Sequence, residues 1–333
     1  MANYKGIKGV KVESLASDPS DTSENTGTVW YNTADTGLKY AIAGSGTWAT
    51  GNNCAYERHY AATAKRATQS TGLVFSGFDG PTWPSPGTVI QTEAYDGTSW
   101  TEVADQHTTR ALPGGTGTQT AAICWSGTPY VPAGSARTSN TELYDGTCWT
   151  EVNNVLTATS APGSIGIQTA ALSVGGSLPP QSDICQQWDG TCWSEVNDTL
   201  VAVSANCSTG IITAGLNAGG SPTPVNGLTS QTWDGTCWTA GNNMNNIHEH
   251  AASFGDQTAT IIAGNANPSP SAKTEKYDGT SWSETTDLGN PKYGLSGLGT
   301  ASLGLTIGGP PTLSKSTEEW TDPVYAIKTV TVS

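Results

Sequence analysis

One six-residue phrase recurs along most of this chain. It reads Tyr95-Asp-Gly-Thr-Ser-Trp100, Tyr144-Asp-Gly-Thr-Cys-Trp149, Trp188-Asp-Gly-Thr-Cys-Trp193, Trp233-Asp-Gly-Thr-Cys-Trp238 and Tyr277-Asp-Gly-Thr-Ser-Trp282, and a broken copy, Glu319-Trp320-Thr321-Asp322, ends the series. From first aromatic to first aromatic (Trp320 in the broken copy) the steps are 49, 44, 45, 44 and 43 residues. A fixed period of this size means one supersecondary unit copied many times, as in propellers and solenoids.

Each unit reads as four short strands. A strand of small residues leads into an apolar run ending near Gly, as in Ala170-Ala171-Leu172-Ser173-Val174-Gly175-Gly176. A Pro-rich connection follows, then a polar strand ending in Tyr or Trp, the Asp-Gly-Thr turn, and a last strand opening on Trp. Asp-Gly is a hairpin signal because Gly takes the positive φ that the turn requires and Asp hydrogen-bonds the turning backbone. No stretch of the array carries the 3.6-residue period of an amphipathic helix. The aromatics flanking each turn read as wedges between neighbouring sheets, since they bury the largest area per residue. Four-stranded units repeated radially make an all-β propeller.

Counting strands gives the number of blades. Six segments resemble the apolar second strand: 73–76, 121–125, 170–174, 211–216, 260–263 and 301–307. Only five complete turns carry a fourth strand after them. The missing strand stands at the front, where Gly44-Ser-Gly-Thr-Trp48 aligns with Asp-Gly-Thr-Ser-Trp. The reading is therefore a propeller of six four-stranded blades closed by the Trp48 strand, which leaves no open sheet edge. A seventh blade is the alternative if the long first step, from Trp48 to Trp100, conceals more than an insertion.

Gly-Gly after the second strand, an aromatic-Asp turn and a Trp shortly after it resemble kelch repeats, over residues 46–321. Ser126-Gly127 and Ala263-Gly264 depart from the Gly-Gly pattern. Trp188-Asp189 and Trp233-Asp234 mimic the WD40 dipeptide, but no Gly-His partner accompanies them. The sialidase Asp-box has one more residue between its Asp and Trp than separate Asp96 and Trp100.

Formal charge is −14, and only 13% of residues are charged. Between Arg137 and Lys273 there is no Lys or Arg, while ten acidic residues fall there. Such a surface repels polyanions, so nucleic acid is not an expected partner. Neither a signal peptide nor a membrane span is expected. Cys148, Cys192 and Cys237 stand where Ser99 and Ser281 stand in other copies, one per blade, and so cannot pair with one another. They read as small buried residues of a chain made in a reducing cytoplasm.

A repeat also sorts fold from function: what every copy has is fold, and what occurs once is a candidate site. Glu102, Glu151, Glu195 and Glu284 recur on the fourth strand and read as solvated positions. Among singular features, His248-Glu249-His250 comes nearest to a metal signature, but spacing offers no third ligand. His107, near Arg110 in another connection between blades, has no nucleophile pattern beside it. The expectation is that the chain is not an enzyme and has no catalytic residue, metal or cofactor. The candidate ligand face is formed by the Pro-rich loops and blade-to-blade connections, which leave the sheets on one side and carry Trp83, Tyr130, His107, His248 and His250.

Residues 1–45 stand outside the repeat. They combine a polar arm bearing Lys5, Lys8 and Lys11 with a hairpin, Gly27-Thr-Val-Trp30-Tyr31-Asn-Thr-Ala-Asp-Thr-Gly37, expected to pair with the alternating tail 322–333. Lys5, Lys8, Lys11, Trp30, Tyr31 and Tyr325 are the candidate anchoring residues. The opening Met1-Ala-Asn-Tyr-Lys-Gly-Ile-Lys-Gly9, this hairpin, the aromatic array and the tail Ile327-Lys-Thr-Val-Thr-Val332 resemble kelch-like structural proteins of tailed phages of marine bacteria. That resemblance implies a virion component assembled in the host cytoplasm, such as a head decoration, fibre or tail adhesin. It would be held to other virion proteins through its termini, as a homo-oligomer, with a host-surface glycan as a possible ligand. A carbohydrate-active enzyme or lectin on the same scaffold is the alternative.

Overall fold

The computed structural model describes residues 12–19, 27–43, 46–79, 87–129, 136–223, 225–310, 315–322 and 325–330. The chain forms two compact units, Met1–Thr47 with Asp322–Ser333, and Trp48–Thr321. Among the described residues every regular element is a strand.

In the terminal unit one four-stranded sheet has the spatial order Glu13–Leu15, Val29–Asn32, Gly37–Ala43, Tyr325–Thr329. The first pair is parallel and the other two are antiparallel. The hairpin turns where Asn32 Oδ1 accepts the backbone N–H of Ala34 at 2.9 Å. Alternation along Val29–Asn32 buries Trp30 and Asn32 and exposes Val29 and Tyr31. Trp30 Nε1 and Asn32 Nδ2 both donate to Asp18 Oδ1, at 3.0 and 2.6 Å.

The second unit is a six-bladed propeller. Blade one comprises Ala62–Thr63, Leu73–Phe75, Thr92–Tyr95 and Trp100–Glu102. Blades two to five begin at Gly114, Gly163, Cys207 and Ala252. Blade six is Ser296–Gly299, Leu303–Ile307 and Thr317–Thr321, completed by Thr47–Gly51 from the other end of the array. The long first step holds no seventh blade. Part of its excess lies in the connection between Thr63 and Leu73, against a two-residue connection between Thr118 and Ala121.

The repeated phrase performs two tasks. Each turn Asp accepts two backbone N–H groups on one oxygen, as Asp96 Oδ1 does from Thr98 at 2.8 Å and Ser99 at 2.7 Å. The turn glycines sit at φ near 90° (Gly97 at 90°, Gly235 at 96°), where a side chain would be strained. The aromatics on either side stack across the hairpin, as in Tyr95–Trp100 at 4.9 Å and Trp188–Trp193 at 5.6 Å between ring centroids. Trp48 and Trp320 repeat the pair at 5.2 Å across the closing seam. The Trp then reaches the preceding blade: Trp149 Nε1 donates to Thr92 Oγ1 at 3.0 Å, and Trp193 Nε1 to Thr141 Oγ1 at 3.1 Å. A Gln in the inner turn clasps the same seam. Gln119 Nε2 donates to Tyr95 O and Gln257 Nε2 to Trp233 O, both at 2.7 Å.

All seven cysteines are free. The expectation that Cys148, Cys192 and Cys237 are buried is corrected, because all three are exposed. They occupy the last turn position, outside the sheet, where Cys148 and Cys192 replace a serine hydroxyl with a thiol 3.7 and 3.6 Å from the turn carboxylate.

Candidate functional site

The blades meet at the axis through a ring of six residues, one before each innermost strand: Tyr60, Leu112, Ala161, Ala205, His250 and Gly294. All six have φ between 52° and 60°, five of them in side-chain-bearing residues that disfavour this region. The strain is compensated by hydrogen bonds. Leu112 N–H donates to Tyr60 O (2.9 Å), Ala161 to Leu112 O (2.8 Å), Ala205 to Ala161 O (2.8 Å), His250 to Ala205 O (3.0 Å), Gly294 to His250 O (2.7 Å) and Tyr60 to Gly294 O (2.8 Å). The six bonds close a circle.

Beyond the ring, the innermost strands line a cavity of about 90 Å³. Three residues after each ring residue stand Thr63, Gly115, Ser164, Ser208, Ser253 and Gly297, all small, because six strands converge here. Two residues further on, five blades have glycine: Gly117, Gly166, Gly210, Gly255 and Gly299, at φ of 103° to 117°. A Cβ there would lie within 2.1 to 2.5 Å of a carbonyl oxygen of the adjacent strand. Blade one alone has a side chain at this position, and it is Lys65. Its Nζ donates to Ser208 O at 2.8 Å and Ser253 Oγ at 3.2 Å. Among the residues lining the cavity, Lys65 is the one Lys, Arg, Asp or Glu. Burial pushes its ammonium down to about 8. The neighbouring Arg66 is instead neutralised by Asp256, at 2.5 Å.

Of the described residues singled out from the sequence, His250 alone lines this cavity. His248 is fully buried, with Nδ1 2.7 Å from Gly264 O and Nε2 3.1 Å from Glu275 Oε2. Both nitrogens face protein oxygens, and His248 belongs to no cluster placed to hold a metal among the described residues. His250 belongs to the ring, half-buried against Tyr60 at 4.8 Å. Burial, then the neighbouring His59, push its imidazole down to about 4. His107 is exposed, and its Nε2 lies 2.9 Å from Trp149 O. Trp30 is buried within the terminal unit and Tyr31 is 38% exposed. Tyr325 enters its sheet opposite Ala43. Lys5, Lys8, Lys11, Trp83 and Tyr130 lie outside the described residues. Among the described residues no group of three or more His, Cys, Asp and Glu is placed to hold a metal.

His248 is one member of a series that also absorbs Arg110. Two residues before each ring residue stand Arg58, Arg110, Thr159, Val203, His248 and Lys292, and on the third strands stand Glu93, Glu142, Gln186, Gln231, Glu275 and Glu318. Where the first is cationic or His the second is Glu; where it is Thr or Val the second is Gln. Arg58–Glu93 lies at 2.5 Å and Lys292–Glu318 at 2.7 Å, and Arg110 pairs with Glu142 at full burial. Each Glu or Gln also takes a backbone N–H from the blade connection, as Glu93 does from Ala55 at 2.6 Å and Gln231 from Leu200 at 2.8 Å. The series is scaffold. Lys65 is the singular feature that inspection of the sequence missed, and its signal was present: it stands alone against five glycines once the innermost strands are aligned.

No protein-family model matches the chain, and no curated protein matches it. Among solved structures, the structure of YjhT is similar over 84% of this chain and 99% of its own, with a TM-score of 0.64 and 11% sequence identity. At that identity the likeness is one of fold, and it agrees with the six-bladed kelch-like propeller. It also corrects the expectation that the chain is not an enzyme, because a propeller fold, which is all the two share, excludes no catalysis.

Proposed function

We propose that the chain is a structural component of a tailed-phage particle, in which the terminal unit docks to other virion proteins or to further copies of the chain and the propeller is displayed. The observation that carries this reading is the terminal sheet. It is a compact unit of its own, built from both ends of the chain, and its outermost strands, Glu13–Leu15 and Tyr325–Thr329, each have one edge unpaired among the described residues. Such edges accept a partner strand through main-chain hydrogen bonds. Val29 and Tyr31, 42% and 38% exposed, offer apolar contacts on one face of the same sheet. The resemblance of the opening segment, hairpin, array and tail to phage structural proteins supports the same reading. In the propeller, the chain enters and leaves beside the Trp48–Trp320 pair on the turn side, opposite the loops. The loop side carries the half-buried rings of Tyr60, His250 and Tyr293, the kind of surface on which a sugar of the host envelope stacks. The test is mass spectrometry of purified particles from cells producing the full chain or its Val29→Glu, Tyr31→Glu double variant. The full chain is expected in many copies per particle. The double variant is expected to melt as the full chain does and to be missing from particles. Absence of the unaltered chain, or normal incorporation of the variant, would overturn the reading.

A further inference from the structure

We propose that the central channel of the propeller is a binding site for one tetrahedral oxyanion of the size of hydrogen phosphate, gripped by Lys65. Three observations on the cavity converge. The first is the charge. Lys65 replaces the glycine of the five other blades, and among the described residues no carboxylate lines the cavity beside it, although the chain as a whole carries a net charge of −14. A partly buried ammonium facing only neutral acceptors pays for its desolvation without a counter-charge, and an anion supplies one.

The second observation is unused hydrogen-bonding capacity. Lys65 Nζ has three protons and two acceptors, Ser208 O and Ser253 Oγ. Ser164 lines the same cavity and its Oγ accepts the N–H of Gly115 at 3.0 Å, which leaves its own proton free to donate. Two donors converging on one cavity match the oxygens of a tetrahedral oxyanion.

The third observation is size. A cavity of about 90 Å³ has room for a free tetrahedral ion. Nothing in this inference depends on the particle-docking reading, which concerns the other unit of the chain.

The experiment is isothermal titration calorimetry of the full chain with sodium phosphate at pH 7, with sodium chloride at matched ionic strength as control. The variants are Lys65→Met and Lys65→Gly, the second installing the residue of the other five blades. Phosphate is expected to bind once per chain and to raise the melting temperature, and chloride to do neither. Both variants are expected to lose affinity by about tenfold or more, the scale of one charge-assisted hydrogen bond. The proposal is overturned if the unaltered chain binds no phosphate, if chloride competes equally, or if either folded variant binds as the unaltered chain does. Failure of both variants to melt cooperatively would overturn it too, by showing that Lys65 holds the fold and not a ligand.

Discussion

Tyr60 donates its backbone N–H to the carbonyl of Gly294 at 2.8 Å, and this bond joins the first blade to the last. It is the sixth of six equivalent bonds, so the propeller is closed twice. At the axis the ring links all six blades, and at the rim the Trp48 strand completes blade six. The two closures lie at opposite ends of the blade radius, where separation of the first and last blades would begin.

A chain starting at Asn52 keeps the ring but lacks the rim closure. It should expose the edge of Thr317–Thr321, run as aggregate on size exclusion and melt at lower temperature. Trp48→Ala is the milder lesion, removing the ring contacts to Trp320 and Phe254 and the bond to Thr286 O. A loss of about 2–3 kcal/mol in chemical denaturation is expected for it. A monodisperse truncated chain with unchanged melting would contradict rim closure.

The alternation between charged and neutral core pairs predicts a rescue. Arg110→Thr alone strands Glu142 in the core, and Glu142→Gln alone strands Arg110; each should cost about 3–5 kcal/mol. The double variant recreates the Thr159 and Gln186 combination of blade three and should return to within about 1 kcal/mol of the unaltered chain. Denaturant unfolding of the four proteins forms a double-mutant cycle. Additive losses would mean that the two residues act independently.

Lys65 predicts a pH dependence of known sign. Its ammonium is held at about 8 in the folded chain, against an ordinary value of 10.5. The unfolded chain therefore binds this proton more tightly, and the folded state loses stability as pH falls from 10.5 through 8, with the full cost present below 8. The neighbouring groups are the Cys207 thiol, itself pushed up to about 11 by burial, and the Arg66–Asp256 pair. In buffer free of phosphate and sulfate, Lys65→Met should be more stable than the unaltered chain at pH 7, by on the order of 2 kcal/mol. The difference should fade above pH 10.5. A variant less stable at pH 7 would show that the two hydrogen bonds of Lys65 outweigh its desolvation.

The turn cysteines are expected to be reactive and dispensable. A thiol reagent should modify three of the seven cysteines in the folded chain and the remaining four only after unfolding, following their exposure. Cys192 should react slowest of the three, since the Asp189 carboxylate raises its thiol. Replacing Cys148, Cys192 and Cys237 by Ser should leave the melting temperature unchanged or raise it by about 1–2 °C, because a hydroxyl reaches the turn carboxylate at 2.9 Å in Ser281. A fall of several degrees would give the thiols a structural role.

The blade was legible from local residue order alone. The aromatic pair, the turn Asp and the Gly at positive φ lie within six residues of one another, and such local chemistry repeats visibly. The number of blades and the closing role of Trp48 followed from counting those copies. Which singular residues matter emerges only when the blades are assembled. His248 and Arg110 looked exceptional because their partners, Glu275 and Glu142, lie on third strands about thirty residues away, and the pairing becomes a pattern only when the blades are superposed. Lys65 looked ordinary because its five counterparts are glycines in strands scattered along the chain. Propeller closure brings those positions to one axis, and there a single side chain among glycines changes the charge and shape of the whole channel.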